Sequence, residues 1–153
     1  MISITSEPLD ITEALTRFSK SAAGAGAIVT FSGHVRTGSA AGDVECLHLQ
    51  AYHPLTENGI RSAVETARSR WDLTAAQIIH RIGDMKPGDA IVFVATASKH
   101  RRAAFEAADF IMDYLKTEAV FWKKEVTASG ANWVEPRQED YRDQARWAEA
   151  EGN

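Results

Sequence analysis

Apolar positions along this chain change period several times, and each change marks an element. Residues 2–5 alternate and predict a short strand. Asp10 follows as a helix N-cap, with Glu13 three residues on in the capping-box position, and Ile11, Ala14, Leu15 and Phe18 recur at helical spacing. Gly24 and Gly26 close that helix. AIVTFSGHVR (27–36) reads as a strand, TGSAAGD (37–43) as a mobile loop, and VECLHLQAY (44–52) as a second strand antiparallel to the first. Pro54 suits a first helical turn, and Ile60, Ala63, Val64, Ala67 and Trp71 supply that helix with an apolar stripe that Gly59 interrupts.

Further along, AQIIHRIGD (76–84), the turn KPGD (86–89) and AIVFVATAS (90–98) predict a hairpin. Ser98 can cap the next helix, whose buried face carries Ala104, Ala108, Ile111 and Leu115. VFWKKEVT (120–127) and NWVEP (132–136) read as strands around a turn at 129–132. Helices interleave with hairpin-like strands, which gives an α+β fold. One domain over 1–137 and a charged C-terminal tail over 138–153, helical or frayed, account for the 153 residues.

Composition narrows the function. With 44% hydrophobic residues the chain can build an ordinary core. Its net charge of −4 argues against general nucleic-acid binding. The single cysteine, Cys46, excludes an internal disulfide and reads as a structural thiol. No His/Asp/Glu set has metal-ligand spacing, so no metal is expected. The start lacks a secretory pattern and no apolar run is long enough to span a bilayer, so a cytoplasmic protein without membrane contact is expected.

Against this acidic background, bases gather at three places. Arg36 stands where the first long strand meets its loop, with Ser32 and His34 on the same face of a strand and Phe31, Gly33 and Val35 on the other. An arginine there could grip phosphate or carboxylate, or simply face solvent. His100, Arg101 and Arg102 sit at a helix start, where bases are unfavourable for the helix. An anion at that end would explain them, and a solvated basic turn would do equally well. FIMDYLKTEAVFWKKE (110–125) brings Lys116 near Lys123 and Lys124 and two aromatics. Strand alternation sends Lys123 to one face with Phe121 and Glu125, and Lys124 to the other with Trp122. Lys123 is therefore the better partner for Lys116, and two close lysines would lower each other's pKa.

These stretches, GAIVTFSGHVR (26–36), IIHRIGDMKPGDAIVFVATASKHR (78–101), AFEAADFIMDYLKTEAVFWKKE (104–125) and WVEPR (133–137), resemble in order and spacing the molybdopterin synthase large-subunit family, MoaE. The resemblance implies an α/β-hammerhead with an additional antiparallel β region. It implies a sulfurtransferase that converts cyclic pyranopterin monophosphate to molybdopterin by inserting two dithiolene sulfurs, with no cofactor of its own. Sulfur would arrive as a C-terminal Gly-Gly thiocarboxylate on a small ubiquitin-like, MoaD-like carrier, in a heterotetramer built on a homodimer of this chain. Matched to the family motifs, Lys116 and Lys123 are the implied catalytic residues. His34, Val35, Arg36, His100, Arg101, Lys124, Glu125 and Arg137 join both lysines in binding substrate, and Phe31 and Met112 shape the pocket. His34 stands where the family often has lysine, and Glu118 adds a carboxylate that could meet Lys116. Two other readings compete: a carrier-binding module without catalysis, and a single-stranded RNA binder using Phe121, Trp122 and the adjacent lysines.

Overall fold

A computed structural model describes residues 1–149. Its strands are β1 (Ile2–Thr5), β2 (Ala27–His34), β3 (Gly38–Ser39), β4 (Gly42–Ala51), β5 (Leu73–Arg81), β6 (Gly83–Met85), β7 (Ala90–Ser98), β8 (Phe121–Thr127) and β9 (Gly130–Val134). Its helices are α1 (Ile11–Ser21), α2 (Leu55–Arg70), α3 (Arg101–Thr117) and α4 (Gln138–Glu149). The α+β reading holds.

Two sheets organise the chain. The first runs β1-β5-β7-β2, with β1 parallel to β5 and the remaining pairs antiparallel. The alternation of β7 serves both faces. Val92 and Val94 pack with Ile60, Val64, Ile111 and Leu115 of α2 and α3, while Phe93, Ala95 and Ala97 pack with Ala14 and Phe18 of α1. The Asp10 carboxylate accepts from the Glu13 N–H at 2.9 Å and starts α1. The second sheet runs β3-β4-β8-β9, with β6 also paired to β4. Val35, Val44, Leu47, Leu49 and Met85 form its buried face.

The structure corrects several sequence expectations. The strand over 27–36 ends at His34, and it does not pair with 44–52: β2 pairs β7 and β4 lies in the other sheet. Alternation says which face of a strand is buried but not which strand lies beside it. The loop over 37–43 contains β3, which turns back on β4 through Gly38↔Asp43 and Ser39↔Gly42. Strand 76–84 divides at Gly83, whose φ of 87° an L-residue rarely adopts, and β6 leaves for the second sheet. Ser98 does not cap α3 directly. Its hydroxyl donates to Asp72 O at 2.8 Å, and the N-cap position falls on His100 without a side-chain cap bond.

Thr56, fully buried, fastens the two sheets' connections. Its hydroxyl accepts from the Tyr52 N–H at 2.8 Å and donates to Val120 O at 2.6 Å, fixing the start of α2 against the entry to β8.

Candidate active site

The cleft begins where β2 ends. A bulge falls between Gly33 and His34, and the chain then leaves the first sheet. The 86–89 turn catches it there. Val35 N–H donates to Asp89 O at 2.9 Å, and Gly88 N–H donates to Val35 O at 2.8 Å. The turn is held in its own right, because the Asp89 carboxylate accepts from Arg81 at 3.2 Å and from the Lys86 N–H at 3.0 Å. The His34 ring reaches Gly88 O at 3.3 Å and the Ser32 hydroxyl at 3.1 Å. With Val35 buried beneath, Arg36 is directed outward at the rim.

The second wall is β8. Lys123 lies opposite Leu49, and Glu125 lies opposite Leu47, so both share the inward face. His34, Val35, Arg36, Val44, Leu47, Ile91, Lys123 and Glu125 line one narrow cleft of about 30 Å³. That volume suits a water or two, or the tip of an anionic group, rather than a whole bicyclic molecule. Burial pushes the Lys123 pKa down, and the neighbouring charges of Lys116 and Arg36 push it further, against the opposing pull of Glu125 and Asp140. A half-buried lysine with a lowered pKa can exchange a proton nearer neutral pH than an ordinary one. Lys116 ends α3, exposed beside it.

Two residues at the site had not been singled out. His80 on β5 is 7% exposed, and its ring stacks on Phe121 with centroids 4.0 Å apart. Nδ1 lies 3.0 Å from Arg81 O, and a carbonyl only accepts, so Nδ1 carries the hydrogen. Burial is the main cause that lowers the pKa to about 4, and Lys116 adds to it against the backbone acceptor. Alternation with Ala76 and Ile78 would have placed His80 inside. The other residue is Asp140, in the first turn of α4, whose charge acts weakly on Lys123 from a segment that the sequence reads as a charged tail, helical or frayed.

His80 makes stability depend on acid. The unfolded chain takes up a proton near pH 6.5 that the folded chain refuses until about pH 4. Above pH 6.5 the two states bind alike. As the pH falls below that value the unfolded state is favoured, by about 3 kcal/mol in total once pH 4 is passed. Urea midpoints at pH 7 and pH 5 should therefore fall further in the wild type than in His80→Gln. Equal drops would show that His80 is not held neutral.

Other expected site residues lie elsewhere. Lys124 faces away from the cleft, opposite His48 and Trp133, with its ammonium 5.3 Å from the Trp133 ring centroid. Tyr52, Trp122 and Trp133 are exposed on that outer face. Phe31 lies opposite Val94 on the α3 side of edge strand β2, 41% exposed, and Met112 packs against the main core one turn before Lys116. Arg137 is exposed and pairs with Glu139 and Asp140. Glu118 turns to α4, where it accepts from Gln144 at 2.8 Å, instead of meeting Lys116. His100 and Arg101 are far away. Ser98 pairs with Ala27 and Ala90 with His34, so the length of β2 puts the start of α3 roughly 25 Å from Arg36.

His48 and His53 diverge, with the one on Asp84 and the other on Glu57. Cys46 is a free, half-buried thiol. Among the described residues no three His, Cys, Asp or Glu side chains are arranged to hold a metal ion, and no helix is long and apolar enough to cross a membrane.

Comparison with known proteins gives a consistent set of relatives. The family model described as MoaE protein matches residues 4–118. A molybdopterin synthase catalytic subunit of Cereibacter sphaeroides is 47% identical over 144 residues, covering 94% of this chain and 97% of that protein. One from Escherichia coli K12 is 50% identical over 122 residues, covering 80% of this chain and 81% of that protein. The solved structure of a molybdopterin biosynthesis MoaE protein from Burkholderia ambifaria MC40-6 superposes with a TM-score of 0.82 at 37% identity, covering 97% of each chain.

Proposed function

Because this chain belongs to the MoaE protein family, we propose that its cleft carries out the catalytic step of molybdopterin synthesis. The protein is an enzyme, a sulfurtransferase of molybdenum-cofactor biosynthesis. Its substrate is cyclic pyranopterin monophosphate, and two sulfurs enter as a dithiolene, each delivered as a thiocarboxylate on the C-terminal Gly-Gly of a small ubiquitin-like partner. The reaction takes place in the cytoplasm, on a single catalytic domain.

One observation carries the reading. Lys123 is half-buried beside Arg36 and near Lys116, in a cleft whose size fits an anionic group. Arg36 and Arg137 suit the phosphate, as guanidinium groups that can grip it through two hydrogen bonds. Lys123, with its lowered pKa, moves protons as the acyl–sulfur bond is replaced, and Lys116 orients the thiocarboxylate. Glu125 and His34 border the cleft and steer what enters, and Val35 forms its floor. Lys124 belongs to the outer face, so its contribution is to the shape of β8. Phe31 and Met112 lie on the α3 side and shape the approach to Lys116.

His100 and Arg101 enter such a site only from a second copy of the chain, since the length of α3 keeps them from their own Lys116 by roughly 24 Å. A homodimer in which each cleft borrows this pair would also widen a cleft too small for a pterin. This arrangement is testable by mixing. Arg101→Ala and Lys116→Ala proteins should each form little dithiolene product from the precursor and thiocarboxylated partner. Co-refolded together, mixed dimers hold one intact site and should regain about a quarter of wild-type turnover, the statistical yield for random pairing and one working site in two. No recovery would place His100 and Arg101 outside the site. No turnover by the folded wild type with its loaded partner would sink the synthase reading itself.

A further inference from the structure

Consecutive side chains at the end of β5 brace opposite walls of the cleft, and neither belongs to its lining. His80 lies inward and stacks on Phe121, the first residue of β8, two positions before Lys123 on the same face. Arg81 takes the other face of β5, with its side chain 12% exposed. Its guanidinium donates to the Asp89 carboxylate at 3.2 Å and, at a longer 3.5 Å, to Asp84 O. Nε is buried without an acceptor, so among the described residues the 84–89 segment supplies every hydrogen-bond partner of this guanidinium. The turn that Arg81 reaches in turn holds the site. Asp89 O accepts the Val35 N–H at 2.9 Å and Val35 O accepts the Gly88 N–H at 2.8 Å, just beyond the last ladder pair of β2, His34 with Ala90. On the far side of Arg36, Thr37 O accepts the Val44 N–H at 2.8 Å. Arg36 is therefore strung between two anchors, one on β4 and the other on the 86–89 turn.

We propose that Arg81 is a positioning residue for the cleft: paired with Asp89, it clamps the 86–89 turn against Val35 and so fixes where Arg36 presents its guanidinium. For what Arg36 binds, the inference rests on the synthase reading. The turn has little of its own to hold it. Gly88 sits at a φ of 91°, and inside the turn the Asp89 N–H donates to Lys86 O and the Lys86 N–H to the Asp89 carboxylate, each at 3.0 Å. That one carboxylate therefore ties both ends of the turn to Arg81. A short surface turn opens locally at small cost unless something outside restrains it. Arg81 supplies the restraint from β5, a strand paired on both sides by β1 and β7. Orientation matters at Arg36 because a guanidinium holds phosphate through two parallel N–H bonds, and a displacement of about 1 Å forfeits much of that grip.

An ion pair that merely adds stability competes with this proposal. Native-state hydrogen exchange, followed by NMR in the intact protein, separates the two. Arg81→Gln should speed exchange at the Val35 and Gly88 amides by about 10-fold, while the core amides of Ile78 and Val94 keep their wild-type protection. Asp89→Asn, whose amide oxygen can still accept from Lys86, should do the same, and the double variant should open the turn no further than either single one. With the loaded carrier, Arg81→Gln should raise KM for the precursor about 3- to 10-fold and leave kcat within about twofold. In an Arg36→Ala background its effect on KM should shrink below about twofold, because the group it positions is gone. Unchanged exchange at Val35 and Gly88 overturns the proposal, as does an equal loss of protection at Ile78 and Val94, or a KM effect that persists in full without Arg36. Should Arg81→Gln fail to fold, Asp89→Asn breaks the same pair from its more exposed side and carries the same decision. The exchange measurements decide the role of Arg81 even if the wild type makes no product, an outcome that would count only against the synthase reading.

Discussion

Lys123→Arg is expected to lower turnover by about 100-fold or more, although the positive charge stays at the cleft. An arginine does not release its proton in this pH range, whereas burial and the charges of Lys116 and Arg36 bring the lysine closer to doing so. If Lys123 transfers a proton, the loss appears in kcat, with KM for the precursor changed by about threefold at most because the cation still attracts the phosphate. The limb of the pH–rate profile that reports Lys123 should lie below the ordinary lysine range in the wild type and vanish in the arginine variant. Steady-state kinetics with thiocarboxylated carrier check this. A Lys123→Arg enzyme within a few-fold of wild type would mean that Lys123 serves only as a fixed charge.

Gly26→Ala should be the most damaging small substitution for stability. A β-carbon at Gly26 would sit 2.3 Å from Lys99 O and 3.2 Å from Lys99 C, both backbone atoms. Neither side can yield easily. Gly26 N–H donates to Ser98 O at 3.0 Å, Ser98 pairs with Ala27, and the Ser98 hydroxyl is tied to Asp72 O. The expected cost is about 3 kcal/mol or more, and the melting temperature should drop by roughly 6–12 °C. Gly24→Ala is the control. Gly24 has open space around it and a φ of 91°, so its cost is conformational, about 1 kcal/mol. A Gly26→Ala protein melting within about 1 °C of wild type would mean that the β2–α3 junction moves freely.

How far the sequence carried is clearest at β8. Period-two alternation alone divided Lys123 from Lys124, and the structure puts one in the cleft and the other over Trp133. The apolar stripe of α3 was equally legible, since Ala104, Ala108, Ile111 and Leu115 are all buried. Strand neighbours were not legible, because β2 and β4 carry suitable faces for many partners, and it is past the bulge at Gly33/His34 that the chain leaves the sheet of β2 for that of β4. His80 was passed over because a lone histidine in an apolar strand signals nothing until its stacking partner Phe121 is in place. The docking of α4 escaped for a related reason: Asp109 and Asp113 look like solvent-facing acids until Arg146 and Trp147 cover them. The distance between His100 and Lys116, by contrast, was available from helix length alone.

On the proposed role of Lys123, the two faces of β8 leave the chemistry resting on parity. Six residues separate Lys116 from Lys123 along the chain, and they end a helix and enter a strand whose side chains point alternately in and out. Removing or adding a single residue there would leave every charge of the segment present. It would also turn Lys124 and Trp122 inward and send Lys123 out among the exposed tryptophans. Charge content is therefore a poor guide to function among variants of this segment; what must be kept is whether the connection is odd or even.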